Sequence, residues 1–346
     1  MTKESAKRVF IARFENPNEI ERKVREGLVW IRGWDIIDHN ARVFLKPNLT
    51  WSSYTPGVTA SPVVLEAVIS LLRNCTSYII IGESDGGYHS FKAEEAFEKH
   101  GIYDIADRYG ARVVNLCTTR AEIVRVRIGS KIVSVKLPSV LLHDVDVFIT
   151  IPVPKVHAMT GVSLGFKNQW GCIPDAMRLR YHPKFNETIL AINKILNPQI
   201  VICDGTYFLD KNGPMAGEAV RMNLLMIAND LGAGDFVCSQ LMGIDPFKIS
   251  HFRAARKAGM FPSSLAEIAL NTDFRHFAKR KFILKRNFLN WIALLAFNSH
   301  LLTTVLYDSE IGVLLHKALY ALRRSHIIKN VLYGRFEPPD EQGGSR

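Results

Sequence analysis

The chain has 346 residues, of which 47% are hydrophobic, 22% charged and 10% aromatic. That composition excludes a disordered, collagenous or low-complexity polypeptide, and the length suits about two domains. The net charge of +11 is unevenly placed: residues 248–346 carry 16 Lys and Arg against 7 Asp and Glu, a net of +9, which leaves +2 for the rest. A near-neutral body argues against nucleic acid as a partner, because the basic residues are interleaved with an apolar run and match no recognition motif. Cys75, Cys117, Cys172, Cys203 and Cys238 stand about thirty or more positions apart with no Cys-x-x-Cys. No iron–sulfur cluster is therefore expected, and the thiols read as reduced, in a cytoplasmic protein. The first residues carry charge but lack the apolar run of a secretory signal, which agrees with that expectation. The Asn-x-Thr matches at Asn48, Asn74 and Asn186 are then chance.

In chain order, residues 9–13 read as a strand, 18–34 as a helix and 43–48 as a short strand ending at Pro47-Asn48. Ser61-Pro62 before an apolar-periodic run marks a helix start, with Ser as N-cap and Pro at the first helical position. Residues 78–84 are an apolar run of strand length, typical of a strand buried on both faces. Helices near 91–99 and 102–109 lead to a strand at 112–116. Residues 123–137 alternate with period two around Gly129-Ser130, a hairpin signal. Strands at 146–152, 199–205 and 224–230 and helices at 185–197 and up to Met242 complete the pattern. The fold class is α/β: a mostly parallel sheet flanked by helices, with one β-hairpin and a C-terminal α-helical subdomain. The expected organisation is an α/β body over 1–246, with a division into two lobes near 150 left open, then a basic helical subdomain over 247–336 and a disordered tail over 337–346.

Residues 288–307 contain no Asp, Glu, Lys or Arg, a length that would span a bilayer. Asn290, Asn298, Ser299, His300, Thr303 and Thr304 argue against a span. A helix lying on an anionic membrane surface and a soluble helical or homo-oligomer face, involving residues 264–336, both stay open.

Polar residues cluster where strands end, the edge at which open parallel sheets bind ligands. Lys46 and Asn48 follow the second strand and suit an anion or a carbonyl. Glu83 and Asp85, beside Gly86-Gly87, suit hydroxyl, general-base or metal contacts. Residues 154–182 hold Lys155, His157, Ser163, Lys167, Asn168, Arg178 and His182 among glycines. They match neither a phosphate loop, a dinucleotide fingerprint, a nucleophile elbow nor His-Glu-x-x-His. Asp204, Asn212 and Asp235 follow later strands, and the two aspartates could orient a lysine or histidine of that segment.

Lys46-Pro-Asn-Leu, Gly82-Glu-Ser-Asp-Gly-Gly, Lys155-x-His157, Lys167-Asn-x-x-Gly-Cys-Ile-Pro, Asp204-Gly, Asn212-Gly-Pro and Leu241-Met-Gly, in that order, resemble the "domain of unknown function 362" family over about residues 42–246. Many members carry a ferredoxin-like segment, which this chain lacks. The stretch from His157 to His182 also distantly resembles the nickel-pincer lactate racemase family. That resemblance implies His157 as a proton-transferring acid/base, Lys167 as cofactor or substrate anchor and His182 as metal ligand. The turn here reads Ser163-Leu-Gly-Phe, without that family's glycine pair.

The resulting expectation is an enzyme moving a proton or hydride at a carbon of a small anionic hydroxy- or carboxylate-bearing substrate, in the manner of a racemase or epimerase. His157, Lys167 and Lys155 would be catalytic. Lys46, Asn48, Glu83, Asp85, Asn168, Arg178, Asp204, Asn212 and Asp235 would bind substrate. His182 would bind a metal, with a nickel-pincer cofactor as one candidate. The alternative is a non-catalytic ligand-binding or assembly protein held at a membrane surface by its basic C-terminal helices.

Overall fold

The computed structural model describes residues 6–286, 288–305, 309 and 314; the expected tail over 337–346 lies outside them. Its strands are β1 (Lys7–Arg13), β2 (Arg42–Pro47), β3 (Tyr78–Glu83), β4 (Arg112–Asn115), β5 (Ala121–Ile128), β6 (Lys131–Pro138), β7 (Val147–Ile151), β8 (Lys155–His157), β9 (Gly161–Ser163), β10 (Ile200–Asp210), β11 (Glu218–Ala228) and β12 (Ile268–Leu270). The helices are α1 (Ile20–Trp30), α2 (Pro62–Arg73), α3 (Ala93–Lys99), α4 (Ile102–Tyr109), α5 (Ser139–His143), α6 (Gly165–Asn168), α7 (Phe185–Leu196), α8 (Leu231–Leu241), α9 (Ser250–Lys257), α10 (Phe288–Asn298) and α11 (His300–Thr303).

The main sheet runs β12-β1-β11-β10-β7-β2-β3-β4, with β8 and β9 attached beside β10. The five strands from β10 to β4 are mutually parallel, whereas β11 lies antiparallel to both β10 and β1. β5 and β6 form the expected separate hairpin, turning at Gly129 with φ +59. The fold is thus α/β with a mostly parallel sheet.

Two hydrophobic layers sandwich the sheet because successive strand residues point to opposite faces. In β2, Phe44 packs with Phe148 and belongs to the core layer that holds buried residues of α7, α8 and α9, while Val43 and Leu45 belong to the layer that holds those of α1, α2, α3 and α4. Phe44 and Phe148 lie 4.9 Å apart, tilted at 57°. Each fully buried side chain of this size contributes on the order of 1.5–3 kcal/mol, so β2 and β7, buried almost throughout, anchor the centre.

Three local expectations differ from the structure. Ser61 stands at the N-cap of α2, but its hydroxyl caps nothing; its backbone N–H instead donates to Asp204 at 2.6 Å. The strand expected at 199–205 continues to Asp210, across an irregularity between Gly205 and Tyr207. After Phe247, where the sequence pattern is helical only, β12 joins the main sheet beside β1, and Phe252, Phe261, Phe274 and Phe282 enter the same core as β10 and α7.

The uncharged run from 288 breaks at Ser299 between α10 and α11. Among the described residues no helix is long and apolar enough to cross a membrane.

Candidate functional site at the carboxyl edge of the sheet

β2, β3 and β7 end side by side and deliver Lys46, Glu83 and Thr150, while Asp204, within β10, lies just past the end of β7, its N–H donating to the Pro152 carbonyl at 2.9 Å. Lys46 is fully buried and paired with Glu83; its ammonium also donates to the Pro47 carbonyl at 2.9 Å. Gly171 stands against this pair, since a Cβ there would run into the Glu83 carboxylate. Asn168 bridges three elements: its amide donates to the Lys46 carbonyl at 3.0 Å and to Thr150 Oγ1 at 2.9 Å, and its oxygen accepts from Asn48 at 3.0 Å. Lys155, also fully buried, donates to Asn48 Oδ1 at 2.9 Å and to the Val58 carbonyl. Burial and the neighbouring Lys167 hold its amine well below the ordinary lysine range.

This lattice consumes most of the polar groups that the sequence singles out. Asn48 and Asn168 satisfy each other and their neighbours. Asp204 accepts from Ser61 N–H and, at its other oxygen, from Thr206 N–H and hydroxyl at 3.0 and 2.7 Å. Asp235 accepts the Gly165 and Phe166 N–H groups at 2.7 and 2.8 Å, so it caps α6. Burial raises both aspartates, Asp235 to about 7. Asp85 faces the other way, holding Lys92, Asn115 and the N–H of Ala93 at the start of α3. Asn212 lies away from the lattice and pairs with Asn290 of α10.

Lys167 differs from all of these. Half-buried one residue before Asn168, it makes no hydrogen bond among the described residues. Burial, then Arg178 and Lys46, lower its amine to about 8. Arg178 is buried and donates from Nη1 to the Asp85 and Asp175 carbonyls, with no carboxylate partner among the described residues. Lys46, Lys167 and Arg178 thus lie close enough for their charges to act on one another, and the carboxylate beside them, Glu83, is paired with Lys46.

His157 is buried and accepts the Met159 N–H at Nδ1, 3.1 Å away. Burial and Lys167 keep the ring neutral, well below 6.5. An imidazole that accepts at Nδ1 carries its proton on Nε2, so His157 offers a donor there. His182 stacks on Trp170 at 5.6 Å and 23° and meets Phe297 at 4.6 Å. Burial lowers it to about 3.

Several contributors escape sequence reading. Thr150 and Gln169 bond at 2.8 Å, and Gln169 continues to Asn193 inside the apolar α7. His251 of α9 is 1% exposed with neither ring nitrogen bonded. A lone polar residue on an apolar helix face was the only signal. Cys172 sits beside the lattice, but burial pushes its thiol up to about 12, which leaves it un-ionised. A cavity of about 610 Å³ opens elsewhere, around Arg8, Arg32, Gln199 and Asp230. None of the residues expected from sequence to form the site lines it, so size alone does not locate the chemistry.

The fold is α/β, and Lys46, Lys155, Lys167 and Arg178 gather near the carboxyl edge of its sheet, close enough for their charges to act on one another. The chain belongs to the family described as a domain of unknown function (DUF362), whose model matches residues 43–240. A thylakoid-associated protein of Synechocystis sp. is 27% identical over 237 residues, covering 64% of this chain and 70% of that protein. A crystal structure of a Thermotoga maritima protein is similar over 67% of this chain and 61% of that one, at 14% identity and a TM-score of 0.45.

The nickel-pincer group implied by the racemase resemblance can be tested on these residues. The backbone at Gly165 is closed by the Asp235 carboxylate, 2.7 Å from where a Cβ would stand. His182 is stacked on Trp170 and meets Phe297 at a tilt, and the cavity it lines includes neither Lys167 nor His157. Among the described residues no three His, Cys, Asp or Glu side chains converge as a metal site. The residues present do not fit that group.

Proposed function

We propose that this chain is an enzyme that binds a small carboxylate against Lys167 and exchanges a proton at the adjacent carbon. The observation that carries the reading is the unpaired Lys167 amine, lowered to about 8, in a lattice with more cations than carboxylates. As ammonium it attracts an anion by charge-assisted contact; as free amine it is a base near neutral pH. In the step, Lys167 Nζ takes the proton from the carbon next to the substrate carboxyl. The C–H electron pair moves into the carboxyl group to give an enolate, and the same ammonium returns the proton. Arg178 and the Nε2–H of His157 are the donors available to the enolate oxygen. His157 thereby supplies a hydrogen bond, and the proton-moving role passes to Lys167.

Incubation with L-lactate and with L-malate in D₂O, followed by proton NMR, tests this. Deuterium should enter the α-position with the wild type and at least about 100-fold more slowly with Lys167→Ala. Equal exchange by both proteins, or no exchange by either, overturns the reading.

A second reading is favoured by the surface of α10 and α11. Trp291, Leu295 and Leu301 are 54%, 65% and 75% exposed, next to the basic run Lys279 to Arg286. An apolar face beside positive charge suits an anionic membrane surface, and the Synechocystis relative is named as thylakoid-associated. Flotation with phosphatidylglycerol vesicles at low and high salt tests it: salt-sensitive flotation that Trp291→Ser with Leu295→Ser abolishes supports it. Flotation unchanged in that variant, or none at low salt, overturns it.

A further inference from the structure

On the far side of the His157 segment lies a cavity of about 250 Å³, lined among others by Thr160, His182, Phe185, His251, Arg286 and Phe297. Of these residues the sequence singles out His182 alone, as a metal ligand; neither Lys167 nor the Lys46–Glu83 pair lines the cavity, although the Lys167 charge acts on His182 and His251.

His251 is the telling residue. It is buried to 1% exposure and lines the cavity, yet neither ring nitrogen has a hydrogen bond among the described residues. Leaving a buried polar group unsatisfied costs about 1–3 kcal/mol, a cost that a bound partner would remove. His251 is also the second residue of α9, an eight-residue helix with Ile249 at its N-cap and no capping side chain. The free N–H groups of that first turn favour negative charge.

The remaining walls set the chemistry. Arg286 is fixed in place by donating from Nε to the Ala158 carbonyl at 2.7 Å and lies 5.4 Å from the Trp291 ring. Lys248 adds a second cation at the rim. The acidic lining residue Glu187 is paired with Lys131. Phe185 and Phe297 supply apolar walls, and His251 packs edge-on against Phe185 at 5.7 Å.

We infer that this cavity is a second binding site, for a small ligand that joins one anionic group to a ring or short apolar body. The anion lies toward His251, Arg286 and the start of α9, and the body lies between Phe185 and Phe297. Since Phe297 belongs to α10, the C-terminal region forms a wall of this pocket.

Titration calorimetry of the full chain with benzoate, benzyl alcohol and inorganic phosphate tests the inference. Benzoate should bind at least about tenfold more tightly than either of the others, because each carries only half of the required chemistry. His251→Phe and Arg286→Met should each weaken benzoate about tenfold or more. Lys167→Met, which lies outside the cavity lining, should weaken benzoate by much less than either, which separates this site from the proposed reaction. In ¹⁵N-histidine spectra of the wild type, benzoate should shift the His251 ring nitrogens, a readout independent of whether the variants fold. No saturable benzoate binding below about 10 mM, phosphate binding as tightly as benzoate, or no change at His251 overturns the assignment.

Discussion

The Asp235 carboxylate accepts the backbone N–H of Gly165 at 2.7 Å, a contact that ties α8 to the segment that presents Lys167. Its second oxygen takes the Phe166 N–H at 2.8 Å. A four-residue helix cannot satisfy its own first N–H groups, so the direction of Lys167 depends on a residue seventy positions away. Asp235→Ala should lower stability by about 2–4 kcal/mol, by stranding two buried donors, with Asp235→Asn losing less. Chemical denaturation of the three proteins measures this.

Asp235 also carries a pH signature. Burial raises its carboxyl from 3.8 to about 7, so the folded chain holds this proton more tightly than the unfolded chain. The stability it contributes is fully present below about pH 4 and is lost as pH rises through about 7. The slope of stability against pH over that window should flatten in Asp235→Asn. An unchanged slope would place the titration elsewhere.

The Lys46–Glu83 pair is almost wholly buried, with side chains 1% and 6% exposed. Removing one partner strands a charge, so Glu83→Gln should cost about 3–5 kcal/mol, and Lys46→Met combined with Glu83→Leu should recover a large part of it. Gly171→Ala should also destabilise the chain, since its Cβ would displace the Glu83 carboxylate. A double-mutant cycle by urea melts checks the first claim.

The C-terminal boundary yields a deletion test. A truncation at 264 would remove β12, Phe274 and Phe282, which belong to the common core, and should fail to fold. A truncation at 287 spares them. It should retain a cooperative thermal transition while losing the exposed apolar face of α10. Circular dichroism melts of the two truncations distinguish these outcomes.

The central strands were legible because β2, β3 and β7 are continuous apolar runs, and the hairpin because β5 and β6 alternate around Gly129-Ser130. The long antiparallel pair β10 and β11 was not: Gly205 and the Asn212-Gly-Pro turn look like loop, and the pairing that extends both strands is tertiary. β8, β9 and β12 are three residues each, too short to show a period. At the site, residue types were legible but their hydrogen-bond partners were not. Asn48, Asn168, Asp204 and Asp235 read as ligand contacts, yet their hydrogen bonds close within the fold. Which lysine makes no hydrogen bond among the described residues depends on how β2, β3, β7, β8 and α6 come together, and no local pattern encodes that. His251 was invisible because a histidine in an amphipathic helix reads as ordinary packing.

Lys167 has a stability signature of opposite sense. Its amine falls from 10.5 to about 8, so the folded chain holds this proton less tightly than the unfolded one. Its contribution to stability should rise with pH between about 8 and about 10.5 and vanish in Lys167→Met. Urea melts at about pH 7.5 and about pH 10 compare the two.

The most direct test of the account is the titration of Lys167 itself. Reductive ¹³C-methylation and NMR, with Lys167→Met assigning the signal, would follow its amine against pH with and without malonate. A midpoint near 8 in the free protein, rising when malonate binds, is the predicted result. A midpoint at the ordinary 10.5 that malonate leaves unmoved would contradict the claim that Lys167 is the unpaired base and anion anchor of this site.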